Sequence, residues 1–258
     1  MNVALKINPY CEALGLAFTY PRPGECRLEL KGGPATHLEG GAIPEGVILS
    51  MLDAGLGHAV ASRLADWEPF ATVALQVIFH DLVTTRSALC EGEASPVPAA
   101  WRETQAQGRV CDGEGRLAAS GQAWFARIET AAGSRRVESA PPSATSFTQL
   151  MGLFRTASGL RFTVRPEHLN ADGVAHGGAI AAALDGAMRG ALQEGARGEL
   201  HLRSFTVRYI QPVLLGEAVL IPAVERRGRA FHFAQACLES PGGRLLAAAS
   251  ATYGGAWM

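Results

Sequence analysis

The chain has 258 residues, which is long for one domain and ample for two of ordinary size. Hydrophobic residues make up 48% and charged residues 18%, and the formal net charge is −1, so the composition excludes the bulk positive charge typical of nucleic-acid or anionic-membrane binding. No apolar run is long enough for a transmembrane helix, and the N-terminus lacks the pattern of a secretory signal. We therefore expect a cytoplasmic protein with neither a nucleic-acid nor a membrane partner.

The cysteines form an odd, scattered set of five without a C-x-x-C motif. This pattern argues against both a disulfide framework and a zinc cluster. They are Cys11, Cys26, Cys90, Cys111 and Cys237. We interpret them as reduced packing residues and expect no metal site.

The first half of the chain predicts a short helix, a glycine-rich turn, a long apolar helix and a series of strands. Residues 8–18 predict the short helix, which Gly15 ends. The glycine-rich turn at 37–46 leads into an apolar helix that contains Asp53. Alternating apolar and polar residues predict strands at 26–31, 72–80, 88–97, 101–111 and 116–128.

The second half repeats the order of turn, helix and strands. Residues 131–146 are rich in proline, serine, alanine and charge without apolar periodicity, which predicts a linker between domains at 1–130 and 147–258. Strands are predicted at 203–210, 217–226, 230–239 and 244–253. Each half would hold one long helix and about five strands, so we predict a duplicated fold of the α+β class.

The most informative stretch is 168–185, with the sequence HLNADGVAHGGAIAAALD. It combines a polar turn at 170–173, two glycines after a histidine at 176–178 and the start of an alanine-rich helix. Glycines allow another group close to the backbone, and the unpaired N–H groups of a first helical turn attract a negatively charged oxygen. Asp185 lies eight residues beyond Gly177, about two helical turns along the same face. Two adjacent glycines by themselves would more simply be explained by close packing of the helix. The complete pattern of turn, histidine, glycines and acid indicates a site for a polarised carbonyl.

The spaced pattern H-x-N-x-x-G-x-x-H-G-G followed by an acid resembles the signature of hotdog-fold acyl-CoA thioesterases of the PaaI-like type. The resemblance is close over residues 168–185 and looser over the rest of the second half. It implies two tandem hotdog domains, each a long central helix wrapped by an antiparallel sheet, paired as a pseudo-dimer. In that family each active site takes the asparagine and glycine from one unit and the acid from the other.

The resemblance implies one complete composite site between the two halves. Its expected catalytic residues are Asp53, Thr72, Asn170, His176 and Gly177. The Gly177 N–H would stabilise the oxyanion, and Asp53 would either attack the carbonyl or take a proton from the attacking water. Thr72 would hold the carboxylate or the water, and Asn170 would position the water or the leaving group. His176 would either meet the substrate carbonyl or satisfy a backbone group.

The second composite site, around Asp185, is predicted to be degenerate. Glu45 stands where the other site has Gly177, so its side chain would crowd the backbone and its charge would repel an oxyanion. Leu202 stands where the other site has Thr72, unless the register slips by two residues. We therefore expect one working site and one degenerate site.

Further substrate contacts are predicted for four residues, namely His168, Gly178, Arg227 and Arg229. The two arginines suit the phosphates of coenzyme A, although a solvated hairpin turn is the simpler interpretation. Coenzyme A would enter as part of the substrate, with no separate cofactor. Two chains would form a homodimer of double hotdogs.

Three functional classes follow from this pattern. The leading one is an acyl-CoA thioesterase. The others are a hotdog dehydratase or hydratase, and a hotdog module that binds acyl-CoA without turnover. The sequence leaves open whether the acyl group is aryl or fatty and whether its carrier is coenzyme A or acyl carrier protein.

Overall fold

The computed structural model describes residues 9–31, 36, 42–64, 68–98, 100–129, 144–156, 159–194 and 198–255. The helices are α1 (Pro9–Ala13), α2 (Glu45–Ala61), α3 (Phe147–Met151) and α4 (Gly177–Gln193), with a 3₁₀ turn at Pro166–His168. The first-half strands are β1 (Leu16–Thr19), β2 (Glu25–Leu30), β3 (Phe70–Phe79), β4 (Ala88–Ala94), β5 (Glu103–Asp112) and β6 (Leu117–Arg127). The second-half strands are β7 (Leu153–Thr156), β8 (Gly159–Val164), β9 (His201–Tyr209), β10 (Gly216–Arg227), β11 (Phe231–Glu239) and β12 (Leu245–Gly254).

The strands form one antiparallel sheet in which the second half repeats the strand order of the first in reverse. The order is β1-β2-β4-β5-β6-β3 followed by β9-β12-β11-β10-β8-β7. The halves meet where β3 pairs with β9, with Gln76 opposite Thr206. The molecule is therefore two hotdogs side by side, which confirms the predicted α+β fold and pseudo-dimer.

The long helices α2 and α4 pack against each other in opposite directions. Ser50 Oγ donates to the carbonyl oxygen of Gly178 at 3.2 Å. Gly46 precedes Ser50 by four residues in α2, and Ala182 follows Gly178 by four residues in α4. A Cβ added at Gly46 would lie 3.2 Å from Ala182 Cβ, so the two helices run in opposite directions. Glycine at both crossing positions allows this close approach. Neither these helices nor any other in the described ranges is long and apolar enough to cross a membrane.

Helix α2 is covered on nearly every side and α4 over its first two thirds, which explains their alanine-rich and apolar sequences. α2 packs on β2, β4 and β5, and α4 packs on β10 and β11, while each helix also contacts the other. Only Glu45 and Gly57 of α2 are not buried, so Asp53 is a buried acid. A helix that is apolar all round fits such an interior position.

The structure corrects several details of the predicted elements. Residues 16–19 form strand β1 and not the end of the first helix, because Gly15 at φ 67° turns the chain after α1. Strands β7 and β8 were not predicted, so each half has six strands in the described part of the chain. Most of the linker predicted at 131–146, and residues 37–41 of the predicted glycine-rich turn, lie outside the described residues. The domain boundaries therefore stay a prediction.

Candidate active site

The start of α4 is held by the polar turn that precedes it. Asn170 Oδ1 accepts from the backbone N–H groups of Asp172 at 2.9 Å and Val174 at 3.2 Å. Gly173 adopts φ 79°, the left-handed conformation that favours glycine. The His176 N–H then donates to the His168 carbonyl at 2.8 Å, and α4 begins at the next residue. Asn170, Gly173 and His176 therefore belong to one turn, and the hydrogen bonds of that turn require their spacing in the sequence.

Asp53 of the first half lies against this helix start of the second half. Its Oδ2 accepts from the Gly178 N–H at 2.8 Å and lies 3.1 Å from His176 Nδ1. Its Oδ1 accepts from Thr72 Oγ1 at 3.1 Å. The side chain is almost fully buried, with 4% exposed. Three donors from both hotdogs therefore hold one carboxylate in a fixed orientation.

Gly177 leaves room for the carboxylate and offers a free donor beside it. A Cβ added at Gly177 would lie only 2.7 Å from Asp53 Oδ2. Its N–H has no acceptor among the described residues, whereas the Gly177 carbonyl accepts from Tyr209 Oη at 3.0 Å. An unpaired N–H at a helix start suits an oxygen that carries negative charge.

His176 is buried as an ion pair with Asp53. Burial alone would lower the pKa of His176, but the nearby Cys11 and Asp53 more than offset burial and raise that pKa to about 10. The imidazole is then protonated at neutral pH, so Nδ1 donates to Asp53. The Gly178 N–H lies 3.0 Å from Nδ1 and 2.8 Å from Asp53 Oδ2. Since a protonated Nδ1 cannot accept, we assign this N–H to the carboxylate.

Helix α1 covers the far side of His176, a layer that sequence reasoning missed. Cys11 Sγ lies 3.8 Å from His176 Nε2, and the Tyr10 ring centroid lies 5.3 Å from that of the imidazole. The order Cys11, His176, Asp53 resembles a nucleophilic triad, but Cys11 is fully buried and does not border the cavity described below. The Cys11 sulfur therefore holds the imidazole in place from the side opposite Asp53. No local sequence signal links two residues that are 165 positions apart.

A cavity of about 780 Å³ opens beside the Asp53 carboxylate. Both halves line it, and its walls include Asp53, Thr72, Asn170, His176 and Gly177. Its walls also include Gly57 and His58 of α2, and Pro212 and Leu214 in the segment after β9. The volume suits a small-molecule ligand. Four of its polar side chains and the Gly177 backbone are the residues that the sequence pattern indicated.

The pseudo-dimer has a second position equivalent to the Asp53 site, and charged side chains pair with each other there. Helices α2 and α4 both have 17 residues, so Glu45 corresponds to Gly177 and Asp53 to Asp185. Arg189 Nη2 lies 3.3 Å from Glu45 Oε2 and 3.4 Å from Asp185 Oδ1. Burial alone would raise the pKa of Glu45, but His201 and Arg189 lower it to about 2. Burial raises the pKa of Asp185, with Arg189 opposing.

Arg189 explains the difference between the two positions, and the sequence analysis did not identify it. The residue of α2 that corresponds to Arg189 is Gly57, which lines the open cavity. A bulge follows Thr72 in β3 and Leu202 in β9, which aligns these two residues without any slip of register. The filled position therefore has an arginine where the cavity has a glycine, and leucine where it has threonine.

The structure places the other predicted contact residues away from the cavity walls. His168 is fully buried, accepts from the Arg165 N–H at 3.0 Å and donates to the Leu150 carbonyl at 2.6 Å, so it supports the turn. Arg227 donates to the Ala191 carbonyl at 2.9 Å, about 21 Å along α4 from its first residue. Arg229 is exposed in the turn after β10. A role for either arginine with coenzyme A stays a prediction.

All five cysteines are free, three of them buried. Among the described residues, no group of three histidine, cysteine, aspartate or glutamate side chains is positioned to hold a metal ion.

Residues 165–254 match the protein family described as the acyl-CoA thioesterase N-terminal domain. The matched segment contains the turn, α4 and strands β9 to β12. A search of curated proteins found no match.

Three solved structures resemble nearly the whole chain. A protein assigned as a thioesterase from Novosphingobium aromaticivorans is 15% identical, with 93% of this chain and 99% of that chain covered at a TM-score of 0.63. The TesB protein of Mycobacterium avium subspecies paratuberculosis is 11% identical, with 95% and 97% covered at 0.64. A 12:0-ACP thioesterase from Umbellularia californica is 12% identical, with 89% and 93% covered at 0.62. At these identities the likeness is one of fold.

Proposed function

We propose that the chain hydrolyses an acyl-CoA at one composite site between its halves, because residues 165–254 match the acyl-CoA thioesterase family and the whole chain shares its tandem hotdog fold with solved thioesterases. One observation carries the proposal. The buried Asp53 carboxylate of the first hotdog accepts a hydrogen bond from Gly178 of the second, beside a cavity of about 780 Å³ and beside the Gly177 N–H, for which no described residue supplies an acceptor.

In this proposal the thioester carbonyl oxygen binds the Gly177 N–H. As an oxygen nucleophile attacks the carbonyl carbon, negative charge develops on that oxygen, and the fixed donor at the start of α4 stabilises it. Collapse of the tetrahedral intermediate breaks the C–S bond, and coenzyme A leaves as the thiolate and then takes a proton. The net reaction consumes one water and releases a carboxylic acid and free coenzyme A.

Asp53 serves the reaction by one of two routes that share this geometry. In the first, its carboxylate takes a proton from the water that attacks the carbonyl. In the second, the carboxylate attacks, and water then hydrolyses the mixed anhydride. A single turnover in ¹⁸O-water detects an anhydride that water opens at the Asp53 carbon, because that step leaves the label in the protein. Direct attack by water and opening of an anhydride at the acyl carbon both leave the label only in the product acid, so trapping of acylated Asp53 with hydroxylamine distinguishes these two.

The residues that line the cavity suggest how the substrate lies. The wall along α2 includes Ala54, Gly57 and Ala61, which have no polar side-chain atoms, and would take the acyl group. The wall that includes Leu214, which is 67% exposed, borders solvent and would take the pantetheine arm. Asn170 borders the cavity, and its Oδ1 is occupied by backbone N–H groups, so its amide nitrogen is the group available to a water or leaving group.

The second position, around Asp185, is proposed to be inactive. Glu45 and Arg189 fill the space that a thioester would need, and Glu45 stands where the first site has its glycine. The repulsion between Glu45 and an oxyanion would add to this steric block.

The proposal is tested by offering the protein one acyl-CoA series and one enoyl-CoA under the same conditions. We expect release of free coenzyme A from acyl-CoAs and no addition of water to the enoyl-CoA. Water addition without thiol release would favour a hydratase, and binding without turnover would favour a binding module. Acyl carrier protein thioesters tested beside matched acyl-CoAs identify the preferred carrier, which we propose is coenzyme A.

We also propose that two chains associate as a homodimer. Ile221, Phe231 and Phe233 leave an apolar area exposed on strands β10 and β11, with 46%, 51% and 37% of each residue accessible. Exposed apolar patches often mark protein interfaces. Light scattering should give a mass of two chains for the wild type and of one chain after Phe231→Glu with Phe233→Glu.

A further inference from the structure

A buried histidine borders the acyl region of the cavity and takes no part in the proposed chemistry. His58 lies on α2 five residues after Asp53, about 7.5 Å further along the helix axis. It is only 7% exposed, and its ring stacks on Phe18 with the centroids 4.1 Å apart. Ala54, Gly57 and Ala61, which line the cavity from the same helix, have no polar side-chain atoms, so a polar ring here must be explained.

Tyr20 determines which nitrogen of His58 carries the hydrogen. Tyr20 Oη lies 2.7 Å from His58 Nδ1. Burial, with a contribution from His176, lowers the pKa of His58 to about 3, so the ring is neutral. Burial also raises the pKa of Tyr20, so the phenol keeps its proton. A phenol O–H is a stronger donor than a neutral imidazole N–H, so Nδ1 accepts from Tyr20 and Nε2 carries the hydrogen.

The Nε2–H of His58 has no acceptor within the described part of the chain. The nitrogen is not fully enclosed, because it is not one of the side-chain atoms in the described residues that are both inaccessible and without a hydrogen-bond partner. The small exposed area of His58 therefore includes Nε2. His58 lines the cavity together with Gly57 and Ala61, and we take its exposed nitrogen to face that space. A donor held in an apolar pocket favours a ligand that supplies an acceptor, since an unpaired buried group is costly.

We propose that His58 selects acyl groups that carry a hydrogen-bond acceptor, a keto or hydroxyl oxygen, beyond the thioester carbonyl. This inference rests on the proposed thioesterase function and names its substrate class. The Nε2–H would donate to that oxygen, while the Tyr20 hydroxyl keeps the ring in the required tautomer. A saturated acyl group of the same length would leave the donor unpaired. Discrimination of this kind, by loss of a hydrogen bond in a buried site, is stronger than discrimination by size alone.

The test compares octanoyl-CoA with a series of octanoyl-CoAs that carry a keto or hydroxyl group at successive carbons. For the wild type we expect kcat/KM to be about 10 to 100 times higher for the best oxygenated member than for octanoyl-CoA, as expected when one buried hydrogen bond is lost. In His58→Leu the ratio should fall to near one, because the saturated substrate gains and the oxygenated one loses. Tyr20→Phe should lower the ratio in part, since the ring can then adopt either tautomer.

His80→Leu is the matched control, because His80 is exposed and forms a hydrogen bond with Ser120 away from the cavity. The ratio of kcat/KM for the oxygenated and saturated substrates should be the same in this variant as in the wild type. If His58→Leu keeps the wild-type ratio, or if the wild type shows no preference, the inference is wrong while the thioesterase proposal stands. If no member of the series releases coenzyme A, the proposed function itself fails. If His58→Leu does not fold, Tyr20→Phe provides the test. A kcat/KM ratio in Tyr20→Phe equal to that of the wild type would overturn the inference.

Discussion

Asp53 and Gly178, 125 residues apart in the sequence, are joined by a 2.8 Å hydrogen bond that crosses the boundary between the two hotdogs. The acid comes from the middle of α2, and the backbone donor comes from the first turn of α4. The same contact that holds the two central helices together also orients the carboxylate. Fold and site therefore depend on one interface, and small changes there should alter activity before they alter the fold.

Gly177→Ala should lower kcat by about 100-fold, because its Cβ would lie 2.7 Å from Asp53 Oδ2 and would push the carboxylate away from its donors. Steady-state thiol release measures this loss. Gly190→Ala is the control in the same helix, where an added Cβ meets nothing within 4 Å. It should keep full activity and gain about 0.5–1 kcal/mol of stability. Equal activity of the two variants would contradict this account of Gly177.

Thr72→Val should reduce kcat about tenfold or more, since it removes the 3.1 Å hydrogen bond to Asp53 Oδ1 with almost no change of volume. Thr72→Ser keeps the hydroxyl and should retain most of the activity. Rate measurements at saturating substrate separate the two variants. A valine variant as active as the serine variant would show that the hydroxyl has no role.

The stabilising effect of His176 should disappear at alkaline pH. The pKa of His176 is raised in the folded protein from 6.5 to about 10, so its contribution to stability is complete below pH 6.5 and is lost as the pH rises through about 10. The difference in melting temperature between wild type and His176→Gln should therefore be largest at acidic to neutral pH and shrink towards pH 10. Thermal unfolding across that range measures it, and a constant difference would argue against the ion pair with Asp53.

Arg189→Met should destabilise the protein by about 3 kcal/mol, because it leaves Glu45 and Asp185 buried together without the arginine that pairs with both. Denaturant unfolding gives the free energy of unfolding. Arg155→Met is the control, since its ion pair with Glu194 is exposed and should contribute less than about 1 kcal/mol. Similar losses in both variants would mean that the charged group around Arg189 does not stabilise the fold.

Much of the fold could be predicted from the sequence because its signals are local. The α4 helix starts directly after His176, as the glycines indicate, and the strand at 217–226 is observed as Gly216–Arg227. Strand β1 was missed because four residues after a glycine turn carry no clear alternation. Periodicity therefore identifies long elements well and short edge strands poorly.

The contact of Asp53 with Thr72 could be predicted because the duplicated motif and the family resemblance together specify which half supplies which group. The sequence analysis predicted a substrate contact for Gly178, whereas its N–H binds Asp53 in the structure. The contact of Cys11 with His176 could not be predicted, since it depends on where α1 packs. Arg189 was missed for a similar reason. Its partner Glu45 is 144 residues away, and only the packing of α2 on α4 brings the two charges together.

The central claim is that one composite site, and not two, performs the hydrolysis. The direct test is thiol release from an acyl-CoA by the wild type, Asp53→Asn and Asp185→Asn, with thermal unfolding to verify that each variant is folded. We predict that Asp53→Asn loses about 1,000-fold or more in kcat, while Asp185→Asn stays within a few-fold of the wild type. Loss of turnover in Asp185→Asn with activity retained in Asp53→Asn would contradict the account and assign catalysis to the opposite pairing of the two halves.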